Sequence, residues 1–247
     1  MNNKYEVKIT DTNEIYQPIR LYYRLFNKYA VNIIFSRLKC MEFDNENDLW
    51  TWYLRKEAKR VKAVIPYKKT IFNKKIIKLG NFYCKNDDEM YCDFFSFERA
   101  MHAILFLDKY IYNKFAMVSH AAVVNKVFNE DEYYDYENFD IFFEHSNIKE
   151  DSLEDMVSDI KKLSEVENPQ KGIKLLLSYY ENKMKQPFPE YEKLKLNFYD
   201  TGIEPIRSAL SLRQHESIQH WKGDKHYSSY EIYEKILRKL KSYEGID

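Results

Sequence analysis

A chain of 247 residues with 45% hydrophobic and 17% aromatic content can bury one large core or two small ones, and intrinsic disorder is excluded. Only five glycines, with no G-x-G-x-x-G and no G-x-x-x-x-G-K-[ST], argue against Rossmann and P-loop chemistry, and no apolar run reaches the ~20 residues that span a bilayer. The formal net charge of zero hides a segregation: residues 55–78 carry ten Lys/Arg against one acid, a net of +9, and residues 129–160 carry twelve Asp/Glu against one Lys, a net of −11.

In chain order, Tyr5–Ile9 alternates as a strand does, and Ile19–Phe26 and Val31–Phe43 have the β-branched and aromatic content of strands. Asp48–Lys62 has helical composition, with Trp50, Tyr53 and Leu54 at i, i+3 and i+4. Ile76–Cys84 and Met90–Phe95 read as a hairpin around an Asn/Asp-rich turn. Ser96 is an N-cap for a helix whose apolar face includes Phe97, Met101, Ile104 and Leu105, with Glu98 in the first turn. His102, beside that face, reads as a packed, hydrogen-bonded residue. Ala116–Val127 is the next strand.

Residues 129–150 are acidic and aromatic without a clear period, and read as an ordered connector. Beyond them the start signals are helical. Ser152-x-x-Asp155, Thr201-x-x-Glu204 and Ser228-x-x-Glu231 have the spacing of capping boxes, and Asn168-Pro169 that of an N-cap followed by a proline at the first helical position. The expected fold class is α+β: a β-rich part with helical insertions over 1–128, the connector over 129–150, and a helical bundle over 151–247.

Cys40, Cys84 and Cys92 contain no CxxC pair, which suits reduced thiols rather than a disulfide framework or a zinc site. With an N-terminus lacking a signal-peptide core, the expectation is a cytoplasmic protein without a membrane partner. Glu57-x-Lys59, with Asp44 and Asp48 upstream, is a weak metal-nuclease pattern of a kind that recurs by accident in a Lys- and Glu-rich chain.

The basic block sets Arg55, Lys56, Lys59, Arg60, Lys62, Lys68, Lys69, Lys74 and Lys75 among or beside Trp50, Trp52, Tyr53, Tyr67 and Phe72. Cations neutralise phosphates and aromatic rings stack on unpaired bases, so these residues are candidate nucleic-acid contacts, with RNA the expected partner. Pairing of the block with the acidic segment, within or between chains, is the alternative use of the same charge.

Chemistry concentrates in Ser211–Asp224. Arg213 and His220 enclose six residues, and Arg213, Glu216 and His220 stand at i, i+3 and i+7 of a helix. Histidine titrates near neutrality and moves protons; arginine forks a phosphate. The spacing resembles the R-x4–6-H motif of the HEPN superfamily, here followed by a Lys-Gly turn and an amphipathic helix. Gln214 stands where the commonest form of that motif has Asn, Asp or His. The resemblance covers about 152–243 and implies a dimeric, metal-independent endoribonuclease of the toxin or antiphage type, needing no cofactor. His220 would be the acid/base, Arg213 the phosphate clamp, and His215 or Glu216 would assist. The competing expectation is a non-catalytic nucleic-acid-binding or protein-interaction adaptor, as a homodimer or in a larger complex.

Overall fold

An eight-stranded sheet organises the chain, in the order β2-β3-β4-β5-β1-β6-β8-β7. The computed structural model describes residues 6–60, 76–132, 138–144, 149–150 and 169–244. The strands are β1 Ile19–Leu25, β2 Met41–Asp44, β3 Leu49–Tyr53, β4 Lys78–Cys84, β5 Glu89–Phe94, β6 Ala116–Val124, β7 Lys149–Glu150 and β8 Tyr191–Lys195. Seven pair antiparallel; the two-residue β7 lies parallel to β8 at one edge. Among the described residues the helices are α1 Lys28–Arg37, α2 Glu57–Arg60, α3 Phe97–Tyr110, α4 Asp140–Phe143, α5 Pro169–Met184, α6 Phe198–Thr201, α7 Ile203–Trp221 and α8 Ser229–Glu244. The fold class is α+β with a helical C-terminal region.

The pleat sends alternate residues to opposite faces. One face carries Ile19, Leu21, Tyr23 and Leu25 of β1, Met90, Cys92 and Phe94 of β5, and Trp52 and Phe82 of the neighbouring strands. Helix α3 covers it, and α1 and α7 contribute Val31, Phe35, Ile206 and Leu210 to the same core. Trp52 is fully buried against Phe106, Phe94 and His102. Gly80 sits where the sheet is tightest: a Cβ there would meet the Phe94 ring at 2.5 Å and the Asp93 carbonyl at 2.6 Å. A smaller cluster of Tyr16, Val124, Phe128, Phe139, Phe142 and Phe143 closes part of the opposite face.

The β4–β5 hairpin, the Ser96-capped α3, the packed His102 and β6 stand as the sequence predicts. Three elements differ. Residues Val31–Arg37, expected within a strand, belong to the helix Lys28–Arg37, because the Asn27 side chain accepts the Ala30 N–H at 2.9 Å and Val31 and Phe35, four apart, both reach the core. Residues Leu49–Tyr53, expected to be helical, form a strand that buries Trp50 and Trp52 on one face; Asp44 accepts the N–H groups of Glu46 and Asn47, and Asp48 takes φ 51°, turning β2 into β3. Tyr191–Lys195 corrects the expectation of helices alone over 151–247: it joins β6, with Leu194 in the main core.

Smaller corrections follow the same logic. Val7 and Ile9 form single bridges, to Asn129 and Ile15, and not a strand. Thr201 does not cap α7; its hydroxyl donates to the Asn197 carbonyl, and Gly202 at φ 75° makes the turn. The Ser228 box does form: Glu231 accepts both the Ser228 N–H and hydroxyl. Cys84 and Cys92 face Met90 and Phe82 across the hairpin rather than each other, and all three thiols are free. The Ser152 box and Asn168 fall outside the described residues.

Burial pushes the His102 imidazole down to about 4 from the usual 6.5, its Nε2 meeting the Ala58 carbonyl at 3.1 Å. A histidine in the unfolded chain takes up a proton near 6.5 that the folded one refuses, so this contribution to stability is whole above that pH and is lost as pH falls toward 4. Urea titrations are expected to show stability falling between pH 6.5 and 5 by about 1.5 kcal/mol more in the wild type than in His102→Gln. Equal losses would contradict a neutral buried His102.

Candidate functional site

Helix α7 carries the Arg213, His215, Glu216 and His220 set, and β8 fixes it from below. Glu192 lies on the apolar face of the sheet, in register with Val123. A carboxylate there needs a partner, and Arg213 supplies it: Nε donates to Glu192 Oε1 at 2.6 Å and Nη2 to Oε2 at 3.0 Å. Nη1 donates to the Ala209 carbonyl at 3.0 Å, and the guanidinium sits 4.3 Å from the centre of the Phe188 ring. Both members of the pair are buried. The fork that could clamp a phosphate is therefore occupied by a protein carboxylate.

The other members of the set are also engaged. Glu216 Oε1 accepts the Phe188 N–H at 2.6 Å, while burial raises its carboxyl above the usual range. His215 Nε2 meets the Tyr227 hydroxyl at 3.1 Å, and burial, with Lys235 and Lys222 nearby, lowers its imidazole. His220 Nε2 lies 2.7 Å from the Tyr227 carbonyl. A carbonyl only accepts, so His220 carries its proton on Nε2 and, when neutral, has Nδ1 as its basic nitrogen. Gln214 reaches away from the motif, to Glu98 at 3.4 Å.

The structure does not bring Arg213 and His220 to one cavity. Arg213 lines a pocket of about 330 Å³ with Tyr180, Lys183, Met184 and Glu192. His220 lines a larger cleft of about 730 Å³ with Asn125, Lys126, Ser217, Trp221, Lys222 and Lys225. Phe188 borders both. The cleft also holds Glu132 and Glu190; Lys126 approaches Glu132 at 3.6 Å, and the Trp221 indole donates to Asn129 at 2.7 Å. Three lysines, a histidine and an indole make a wall suited to phosphates and flat rings.

Of the basic block, the structure describes Arg55, Lys56, Lys59, Arg60 and, at the start of β4, Lys78; Lys62, Lys68, Lys69, Lys74 and Lys75 fall outside the described residues. Arg55 pairs with Glu42 and lies 5.0 Å over Tyr53. Lys56, Lys59 and Arg60 are exposed, around the single turn of α2. Two acids of the 129–160 segment pair outside the basic block, Asp140 with Arg20 at 2.7 Å and Glu132 with Lys126 at 3.6 Å. Among the described residues no cluster of His, Cys, Asp and Glu is arranged to hold a metal, and no helix is long and apolar enough to cross a membrane.

Sequence reasoning missed Glu192, Phe188, Lys126 and Asn125, all distant from the motif. The Pro187-Phe188-Pro189 stretch is the one local signal, because prolines fix the turn that carries Phe188 under α7. Comparison of the chain with protein-family models, with curated proteins and with solved structures gives no match.

Glu192→Gln is expected to destabilise the fold by about 3 kcal/mol, since it strands a buried guanidinium, whereas Glu192→Leu combined with Arg213→Met recovers most of the loss. Denaturant melts of the two variants check this. A single variant as stable as the wild type would show that the pair is not what holds α7 on β8.

Proposed function

We propose that this protein binds nucleic acid, RNA foremost, without cutting it through the Arg213/His220 pair. The observation that carries the reading is the His220 cleft, where Lys126, Lys222, Lys225 and Trp221 line one space. Lysines there neutralise backbone charge, and the indole and imidazole offer surfaces to sugar and base. Arg213 lines a separate pocket, as a structural cation paired with Glu192. The exposed cations of α2 add long-range attraction for a polyanion.

Lys222→Glu with Lys225→Glu is expected to weaken binding of a labelled single-stranded RNA at least tenfold, and to flatten the slope of log affinity against log salt by about 0.7 for each phosphate that is no longer neutralised. Unchanged affinity and slope would place the RNA elsewhere or nowhere.

A second reading, the HEPN-like endoribonuclease, draws on one observation: His220 shares its cleft with lysines that could hold a phosphate. Arg213 would then need to exchange Glu192 for substrate, for example on pairing of two chains. Incubation of RNA with the protein in EDTA decides between the two. The binding reading predicts intact RNA; cleavage that disappears in His220→Ala would overturn it in favour of the nuclease.

A further inference from the structure

The cleft beside His220 holds two carboxylates, Glu132 and Glu190, among its lysines. An acid near bound phosphates costs affinity, so each needs another reason to be there. Glu132 has one within the protein: it meets Lys126 at 3.6 Å and accepts the Asn129 side-chain N–H at 2.9 Å. Glu190 is exposed, and among the described residues nothing forms a hydrogen bond or ion pair with its carboxylate.

Glu190 and Asn125 stand side by side in the cleft. The Asn125 backbone N–H donates to the Glu190 carbonyl at 2.8 Å, which joins the residue after β6 to the residue before β8. The Asn125 side-chain nitrogen is committed: it donates to the Pro189 carbonyl at 2.8 Å and to the Glu192 carboxylate. Its Oδ1 has no hydrogen-bond partner among the described residues, although Asn125 is only 9% exposed. A buried acceptor left unpaired is a cost that a ligand's donor removes. This part of the cleft therefore offers acceptors. The cations stand on a different element, with Lys222 and Lys225 exposed just after α7.

We infer that the cleft reads guanine in single-stranded RNA: the Glu190 carboxylate and Asn125 Oδ1 accept the N1–H and N2–H donors of the base, while Lys222 and Lys225 meet the phosphates. The inference rests on the nucleic-acid reading and gives the cleft a base preference that phosphate contacts alone do not supply. A carboxylate accepts and does not donate. Guanine is the one base of the four that sets two donors side by side on its Watson–Crick edge. Adenine and cytosine set a donor beside an acceptor, and uracil flanks its N–H with two carbonyls. Acceptors without a free donor between them thus favour guanine.

The test is fluorescence anisotropy on the whole chain with labelled ten-nucleotide RNAs, all uridine or with one central guanosine, adenosine, cytidine or inosine. The guanosine strand is expected to bind about 5- to 150-fold more tightly than the uridine strand, the range for one bidentate base contact. Inosine, which lacks only the N2 amine, is expected to lose at least about fivefold against guanosine, as are adenosine and cytidine. Glu190→Gln, an exposed change that spares the fold, is expected to bring the guanosine and uridine strands within about twofold of each other without weakening the uridine strand. Lys222→Glu with Lys225→Glu weakens every strand alike. Equal binding of all strands by the wild type, with that double variant losing affinity, would overturn guanine recognition and leave the phosphate cleft standing. A guanosine preference that survives Glu190→Gln would overturn the role of Glu190. Guanosine monophosphate competing as well as the guanosine strand does would assign the base to a free nucleotide and overturn its place in RNA. A wild-type chain that binds none of the strands removes both the cleft and its preference.

Discussion

The Glu192–Arg213 pair decides how the C-terminal region relates to the sheet. Glu192 occupies a position where the pleat calls for an apolar side chain, and a bidentate, hydrogen-bonded cation, with the Asn125 amide donating to the same carboxylate, makes that burial tolerable. Helix α7 is therefore held on β8 by charge as well as by Ile206 and Leu210. Phe188 covers the guanidinium, and its N–H is taken by Glu216, so the chain entering β8 is fastened to the same helix. With that frame fixed, His220 and Trp221 fall at the far end of α7, beside the residues that follow β6.

Arg20 and Asp93 repeat the device on the opposite face. There the fork is again bidentate and again backed by an aromatic ring, and Asp140 ties the acidic segment onto the sheet through it. Arg99 does similar work, with its guanidinium beside Glu14, Thr12 and the Lys78 carbonyl. These three buried arginines are thus structural cations. Lysines, by contrast, line the cleft beside His220.

The sequence makes elements legible where a single local signal dominates. Ser96 and Ser228 announce helices because the capping partners lie three residues on. The β4–β5 hairpin is visible through its Asn/Asp turn. The errors arise where tertiary burial overrides propensity: Val31 and Phe35 belong to a β-prone run yet pack as one helical face, and Trp50, Tyr53 and Leu54 mimic a helical spacing while Trp50 and Trp52 alternate as a strand does. The site is half legible. Arg213 and His220 are separated by a readable interval, but a spacing cannot reveal that a glutamate from a distant strand already fills the arginine's fork, or that the two side chains line separate spaces that share only Phe188.

RNA affinity of the Glu192→Leu, Arg213→Met double variant, measured against the wild type at one salt concentration, bears most directly on the role of this pair. Neutral, apolar replacements keep α7 seated while removing the guanidinium altogether. If Arg213 is a structural cation and the cleft beside His220 receives the phosphates, affinity stays within about twofold. A loss of tenfold or more in a folded variant, about the worth of one charged hydrogen bond, would mean that Arg213 leaves Glu192 for the RNA, and the structural assignment would be wrong.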